Sequence, residues 1–544
     1  MATATIDIKG SEPALIGRWV DNLFGYNLFF LLTIPAVIWL ARSQRLDEWP
    51  IWVITISGLV ISGPHYGATL LRVYEKRHDR RRYALFTVWL TLALLGFFVV
   101  SLYSVGLGSF MLTAYVCWSP WHLAGQNFGV AMMTLRRRNV PIDIWSRRFL
   151  HASYLLAYVL AMLALHTGGT RSEVALGADD ASIYYIMRLG IPPEIAEPAL
   201  WILGPIYLAV TIAAFVRLGR GGHVRHLGPT LMLTATYSLW YVIPALSTSM
   251  VSLIYAAVWL SINHSVQYLW ITTYFAKRND STPPLRFLGK CLLAGSTLSV
   301  VPALLFVPGI LGSYVPYVGD AEIMVFTIVN LHHFVLDGAI WKLRDGRVGQ
   351  ILLNQKMKSV DKTVDRSKPR NLKRFVYALG ALGLATPLYF AVESKLAVTS
   401  DSHSFVEGSA SRLAFWGKDF ADVQAALARH RHIAGDSRGA VDAYRRAYEI
   451  APENIGIAVR LAALLLDDPE GAEESLRLAT IAAKASEFSD PAILIILGSA
   501  NARLGRIDVA RDRLERALLI AERRNDATFA AVAREQLRLL GGPR

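Results

Sequence analysis

The sequence predicts an all-α protein: a polytopic membrane helical bundle followed by an α-helical repeat domain. Three observations lead there. Of the 544 residues, 53% are hydrophobic and only 18% are charged, where a soluble protein carries about 25%. Apolar runs of about 20 residues, the length that crosses a bilayer, recur along the chain up to Lys395. After Leu396 the chain turns alanine-rich, charged and helical in its periodicity.

Taken in order, eleven spans are expected, near 24–41, 50–74, 84–106, 108–133, 149–168, 197–216, 228–246, 248–275, 289–310, 320–342 and 375–395. The first 23 residues lack the apolar core of a cleavable signal peptide, so the first run should remain as an anchor. With a cytoplasmic N-terminus, the loops 75–83, 136–148, 217–226, 277–290 and 342–374 hold 28 lysines and arginines. The opposite loops hold only Arg42, Arg45, Arg171 and Arg188. An excess of this kind marks cytoplasmic loops, so the net charge of +14 reflects topology and a nucleic-acid partner is excluded. The expected organisation is a cytoplasmic segment 1–23, a membrane bundle 24–341, a basic cytoplasmic loop 342–374, a last transmembrane helix 375–395 and an extracytoplasmic repeat domain 396–544. A bacterial cytoplasmic membrane fits that layout, with lipids around the bundle. Cys117 and Cys291 both lie in apolar segments, which excludes a disulfide framework and a cysteine zinc site.

In the tail, "GDSRGAVDAYRRAYEIAPEN" and "GRIDVARDRLERALLIAE" place Gly, Ala, an apolar residue and Ala at matching offsets. The positions are Gly435, Ala440, Tyr444, Ala447 and Gly505, Ala510, Leu514, Ala517; Ala472, Leu476 and Ala479 repeat part of the pattern between them. This resembles tetratricopeptide repeats, whose period is about 34 residues. The resemblance implies a concave surface for a protein partner.

The chemistry is expected from histidines in apolar segments. His65, His122, His264 and the pair His332–His333 fall on the second, fourth, eighth and tenth spans, which all run in one direction. Each lies a similar distance before the next basic residue, which puts them in one layer. Residues three and four positions along a helix share its face. His65 is accompanied by Thr69 and Arg72, His122 by Gln126 and the adjacent Asn127, His264 by Gln267 and Tyr268, and His333 by Asp337 and Asn330. A metal-bound histidine gives its second ring proton to an acceptor, and these neighbours offer one to each. His332 points about 100° away from His333 on a 3.6-residue helix and is kept as a further candidate. Gly67, Gly125, Gly129 and Gly338 would let helices approach, and Pro64 and Pro120 would kink them.

The ligand set is therefore His65, His122, His264 and His333, with His332 in reserve. Thr69, Gln126, Asn127, Gln267 and Asn330 should orient them, while Asp337, Tyr268 and Arg72 are the reactive or substrate-holding groups. Trp121, Tyr268, Trp270 and Trp341 should surround the site. Imidazoles with a carboxylate suit iron first, and also zinc or copper; haem and a proton relay are the alternatives. "GPHYGATLL" and "WHLAGQNFG" resemble the early histidine–glycine motifs of Brp/Blh-type membrane carotene dioxygenases. That resemblance implies His65 and His122 as iron ligands and an oxygenase acting on a lipophilic substrate. In that family two ligands lie close together on one helix, whereas His264 and His333 stand on separate spans here. The rival reading is a non-enzymatic membrane scaffold that recruits partners through its repeats.

Overall fold

A computed structural model describes residues 14–42, 57–75, 82–175, 181–220, 222–238, 250–299, 315, 321–341, 346–353, 370–452, 454–468 and 470–541. Parts of the basic loops 75–83 and 342–374 and of the expected spans 50–74, 228–246 and 289–310 lie outside the described residues. The chain divides into two units that part between Leu388 and Tyr389.

The first unit begins with a helical segment, Arg18–Gly25, followed by α1 (Leu28–Arg42). The two are bent by 41° at Asn27, whose φ is +68°. Asparagine is among the few residues that adopt that region readily. A π-helical turn, Gly58–Ser62, leads into α2 (Gly63–Tyr74), and another, Leu85–Trp89, into α3 (Leu90–Ser101). Then come α4 (Val105–Arg137) and α5 (Ile144–His166). α5 starts where Asp143 accepts hydrogen bonds from the backbone of Trp145 and Ser146 at 2.7 and 3.0 Å, satisfying amides that have no partner within the helix.

An antiparallel hairpin of β1 (Arg171–Ala175) and β2 (Ala181–Met187) pairs Arg171 with Met187 and Ser172 with Ile186. It is the exception to helix among the described elements, so the all-α expectation holds for the rest. Behind it run α6 (Pro193–Gly219), α7 (Gly228–Tyr237), α8 (Met250–Asp280), α9 (Pro284–Ser296), α10 (Ala321–Ile340), α11 (Gly346–Leu352) and α12 (Arg370–Thr399). The unit boundary falls within α12.

The expected count of eleven spans is not recovered. Among the described residues four helices are long and apolar enough to cross a membrane: Ile144–His166, Pro193–Gly219, Ala321–Ile340 and Arg374–Thr399. The bent pair at Asn27 makes a fifth if counted as one span. The expected spans 50–74, 228–246 and 289–310 lie only partly within the described residues, and three of the four histidine-bearing helices have a physical reason to fall short. α2 is only 12 residues long, while α4 and α8 spend apolar positions on His122, Gln126, Asn127, Asn263, His264 and Gln267.

Close contact is concentrated between α2 and α9. A Cβ on Gly67 would overlap the carbonyl oxygen of Cys291, and one on Gly295 would overlap that of Gly63. The expectation for Gly67 is met, but Gly125, Gly129 and Gly338 have open space where a Cβ would stand. Neither expected proline kink interrupts its helix. Pro64 sits in the first turn of α2, where a missing amide costs little. Pro120 lies inside α4, and its carbonyl accepts from the Tyr237 hydroxyl at 2.9 Å.

The second unit is a row of helices, α13 (His403–Phe415), α14 (Ala421–Ile433), α15 (Ser437–Ile450), α16 (Ile455–Leu465), α17 (Ala472–Ala485), α18 (Pro491–Arg503), α19 (Ile507–Arg523) and α20 (Ala527–Leu539), each packed on the next. The matching sequence positions match in structure. Gly435 and Gly505 have φ of +83° and +73°, and Ala440, Tyr444, Ala447, Ala510, Leu514 and Ala517 are buried. Small residues here bring neighbouring helices together around one core.

Gly67→Ala should destabilise the first unit by about 1–3 kcal/mol, because backbone must move to make room. Gly125→Ala should be neutral or stabilising by up to about 1 kcal/mol, the helix-propensity gain. Thermal unfolding of the detergent-solubilised protein distinguishes them, and equal effects would contradict the close approach of α2 and α9.

Candidate metal centre

Four helices of the first unit converge through their histidines. His65 comes from α2, His122 from α4, His264 from α8 and His333 from α10. The His65 ring lies 4.2 Å from His333 and 4.8 Å from His264, centroid to centroid. His122 lies 5.0 Å from His264 and 5.1 Å from His333, and His264 lies 6.2 Å from His333. Asp337, one turn beyond His333, brings Oδ2 to 3.4 Å from His333 Nε2 and 3.9 Å from His122 Nε2. Those two approaches are close but not aligned as hydrogen bonds. His65, His264, His333 and Asp337 are buried, and the His122 side chain is nearly so.

Two overlapping sets could hold an ion: His65, His264 and His333, and His122, His333 and Asp337. Within each set the donor atoms lie within 4.8 Å of one another. Bonds of about 2.1 Å to a shared ion would separate donors by about 3.4–4.2 Å, so small side-chain rotations close the set. Both ring nitrogens of His65 and His264, and Nε2 of His122 and His333, are buried without a hydrogen-bond partner. The Ser62 carbonyl lies near His65 but outside hydrogen-bond geometry. Buried polar atoms are rarely left this way, and each costs about 1–3 kcal/mol. Four rings, each with at least one unpartnered nitrogen and one able to turn to the centre, suit a shared cation.

The other side of Asp337 is saturated. Its Oδ1 accepts from Tyr268 at 2.8 Å and from Thr69 at 3.0 Å. Tyr268 in turn accepts from Trp341 Nε1 at 2.9 Å and lies 2.6 Å from Thr69. Thr69 Oγ1 is also 3.1 Å from His333 Nδ1. Because the Thr69 proton goes to Asp337, Thr69 accepts from His333, so Nδ1 bears the ring proton. That assignment leaves the Nε2 lone pair of His333 facing the centre.

Several orienting roles expected from helical spacing are exchanged between helices. Thr69 serves His333 rather than His65. Gln126 donates to Gln267 at 2.8 Å and to the His264 carbonyl at 3.4 Å, and not to His122. Gln267 donates to the Gly25 carbonyl, Asn27 and Asn127 at 3.1, 3.2 and 3.4 Å. Asn127 Nδ2 donates to the Leu123 carbonyl. Asn330 accepts from Tyr66 at 2.8 Å instead of orienting His333. The reason is distance: neighbouring helices lie about 8–10 Å apart, so a side chain one turn along reaches across as readily as along its own helix.

His332 does not join the centre. Its Nε2 lies 2.9 Å from Thr91 and 3.5 Å from Tyr74. Arg72 is also apart: its guanidinium lies over the rings of Phe275 and Trp341, at 5.1 and 5.9 Å. There it lines a cavity of about 40 Å³ together with Glu75, Asn279 and Asp280. Of the expected aromatic surround, Tyr268 and Trp341 are present. Trp121 is 47% exposed and turned towards Tyr158, and Trp270 bonds Asp21 at 2.7 Å. Sequence reasoning missed Tyr66 and Phe334, whose rings lie 4.7 Å from His65 and 4.5 Å from His122. It also missed Asn27 and Asn263. Nothing in helical spacing selected Phe334 or Asn27, which reach the site from the next residue along and from a bend between helices.

No protein-family model and no curated protein matches the chain.

In protein stripped of metal by a chelator, His65→Leu should raise stability by about 1–3 kcal/mol, since it removes unpaired buried polar atoms. Thr69→Val should lower stability by a similar amount, since it unpairs Asp337 and His333. Chemical unfolding of the chelated protein measures both, and a strongly destabilised His65→Leu would show that the ring is held by partners of its own.

Proposed function

We propose that the chain is an integral membrane metalloprotein that binds one transition-metal ion at the histidine–aspartate centre. Within that class we infer an iron-dependent oxygenase or related oxidoreductase acting on a lipid or isoprenoid substrate. The observation that carries this reading is the convergence of unpartnered imidazole nitrogens from four helices beside one buried carboxylate. His122, His333 and Asp337 are two histidines and a carboxylate, the donor combination of many non-haem iron oxygenases, and imidazole donors also suit zinc and copper. Haem fits less well, because a macrocycle must lie between its axial histidines and these rings pack directly on one another.

When bound, iron would supply activation of oxygen. The protein's own part is to bind and orient. Thr69 fixes the His333 ring, Tyr268 and Thr69 hold one oxygen of Asp337, and Trp341 holds Tyr268. Burial of the rings keeps bulk water away, which suits a lipophilic substrate. The cavity at Arg72, with an apolar interior of Leu71, Phe275 and Phe287, is the place for its polar end.

The excess of basic residues in alternate loops supports a cytoplasmic location for those loops and an extracytoplasmic location for the tail. The matched helices of the second unit support tetratricopeptide-like repeats and a protein partner for them. That feature also favours a second reading, a membrane scaffold whose histidines serve only the packing of helices.

Metal analysis separates the two. The enzyme reading expects about one iron per chain, loss of most of it in His122→Ala and His264→Ala, and retention in His332→Ala. Chelation should lower the unfolding temperature of the wild type, because a ligand at 100 times its Kd contributes about 2.7 kcal/mol, and leave His264→Ala unchanged. A folded wild type that takes up no metal favours the scaffold, stoichiometric zinc or copper reassigns the ion, and a Soret band identifies haem.

A further inference from the structure

A second cavity, of about 10 Å³, borders His264. Asn27, Asn127, Thr236, Asn263 and Gln267 line it, contributed by α4, α7, α8 and the break before α1. A buried water needs about 10–15 Å³ and two to four polar partners, so the cavity has the size of one water molecule and a wall to match.

The Gln267 amide nitrogen is occupied by the Gly25 carbonyl and by the Asn27 and Asn127 side chains, and its oxygen by Gln126. The Asn127 nitrogen is occupied by the Leu123 carbonyl. Asn263 Oδ1 is buried with no partner, and Asn263 as a whole is 7% exposed. Neither nitrogen of His264 has a partner. One of them faces His65 and His333 as a ligand atom, and an imidazole binds an ion through one nitrogen, so the other keeps its proton and needs an acceptor. Asn263 cannot serve directly, since adjacent residues on a helix point about 100° apart.

We propose that this cavity binds one water molecule, which accepts the ring N–H of His264 and donates to Asn263 Oδ1. Asn263 is then a positioning residue: it acts through the water on the orientation and tautomer of a metal ligand. The amides around it are neutral, so no charge stands beside the centre on this side. The ligand role of His264 rests on the metal reading above, whereas the water site itself does not.

Hydroxyl-radical footprinting with X-ray pulses labels side chains next to bound water even where bulk solvent is excluded. In metal-free wild type, Leu260 and Tyr237, which line the cavity and are 4% and 3% exposed, should label, and Asn263→Leu should suppress that label severalfold. Asn263→Leu should also weaken metal binding by about 10–100-fold, with Asn263→Ser, which keeps an oxygen acceptor, recovering most of the affinity. Circular dichroism and gel filtration check the fold, and the smaller Asn263→Val reads the same outcome if the leucine variant does not fold. Unlabelled Leu260 and Tyr237 in the wild type, or unchanged metal affinity in Asn263→Leu, would overturn the proposal. A wild type that binds no metal but labels at both residues would overturn the metal reading alone and leave the water site standing.

Discussion

The first unit is organised around an electrostatic difficulty: imidazole nitrogens and a carboxylate are buried together at one point. Leaving such groups unpaired costs about 1–3 kcal/mol apiece. The bundle resolves half of the difficulty internally. Thr69, Tyr268 and Trp341 form a relay of hydroxyl and indole groups that satisfies one oxygen of Asp337 and fixes His333. The other half is left facing inward, as Asp337 Oδ2 and the free nitrogens of four rings. On the reading proposed above, one shared cation would satisfy these atoms together.

Bringing the rings within contact imposes its own demand on backbone spacing. His65 can reach His333 and His264 because α2 lies against α9 with no side chain between them at Gly67 and Gly295. Gln126 and Gln267 tie α4 to α8, and Gln267 reaches on to the bend between helices at Gly25 and Asn27. The bent start of the chain is thus part of the support of the site, and Asp21, which accepts from Leu15 and Trp270, anchors it. The four histidines and Asp337 stand on helices rather than loops, and helix positions hold side chains more firmly.

The second unit solves a simpler problem. Its core is built mainly from alanine and leucine, and small side chains at equivalent places let successive helices lie close. Left-handed glycines at Gly435 and Gly505 turn the chain ahead of α15 and α19. Among its described residues the buried charge is Glu393, which Arg412 pairs, and the rest of the core is uncharged, so the pattern is readable residue by residue.

That contrast explains how much the sequence revealed. Apolar runs and helical periodicity are local properties, and they placed most helices and the change of character near Leu396. The rarity of ionisable residues in apolar segments singled out His65, His122, His264, His333 and Asp337, all of which meet. Among the described residues fewer helices are apolar enough to cross a membrane than the apolar runs suggested, because a run of the right length also tolerates buried polar side chains such as His122, Gln126, His264 and Gln267. The partners of each ligand were also misassigned. Thr69, Gln126, Gln267 and Asn330 bond across helices, His332 turns to Thr91, and Arg72 lies over aromatic rings. Which helices are neighbours is set by long-range packing, above all by the contact through Gly67 and Gly295. The sequence by itself therefore determined which side chains are too polar to be buried without purpose. Only the tertiary structure decided which of them face one another, because hydrogen-bond reach between packed helices is as short as reach along one, and spacing in sequence cannot distinguish the two.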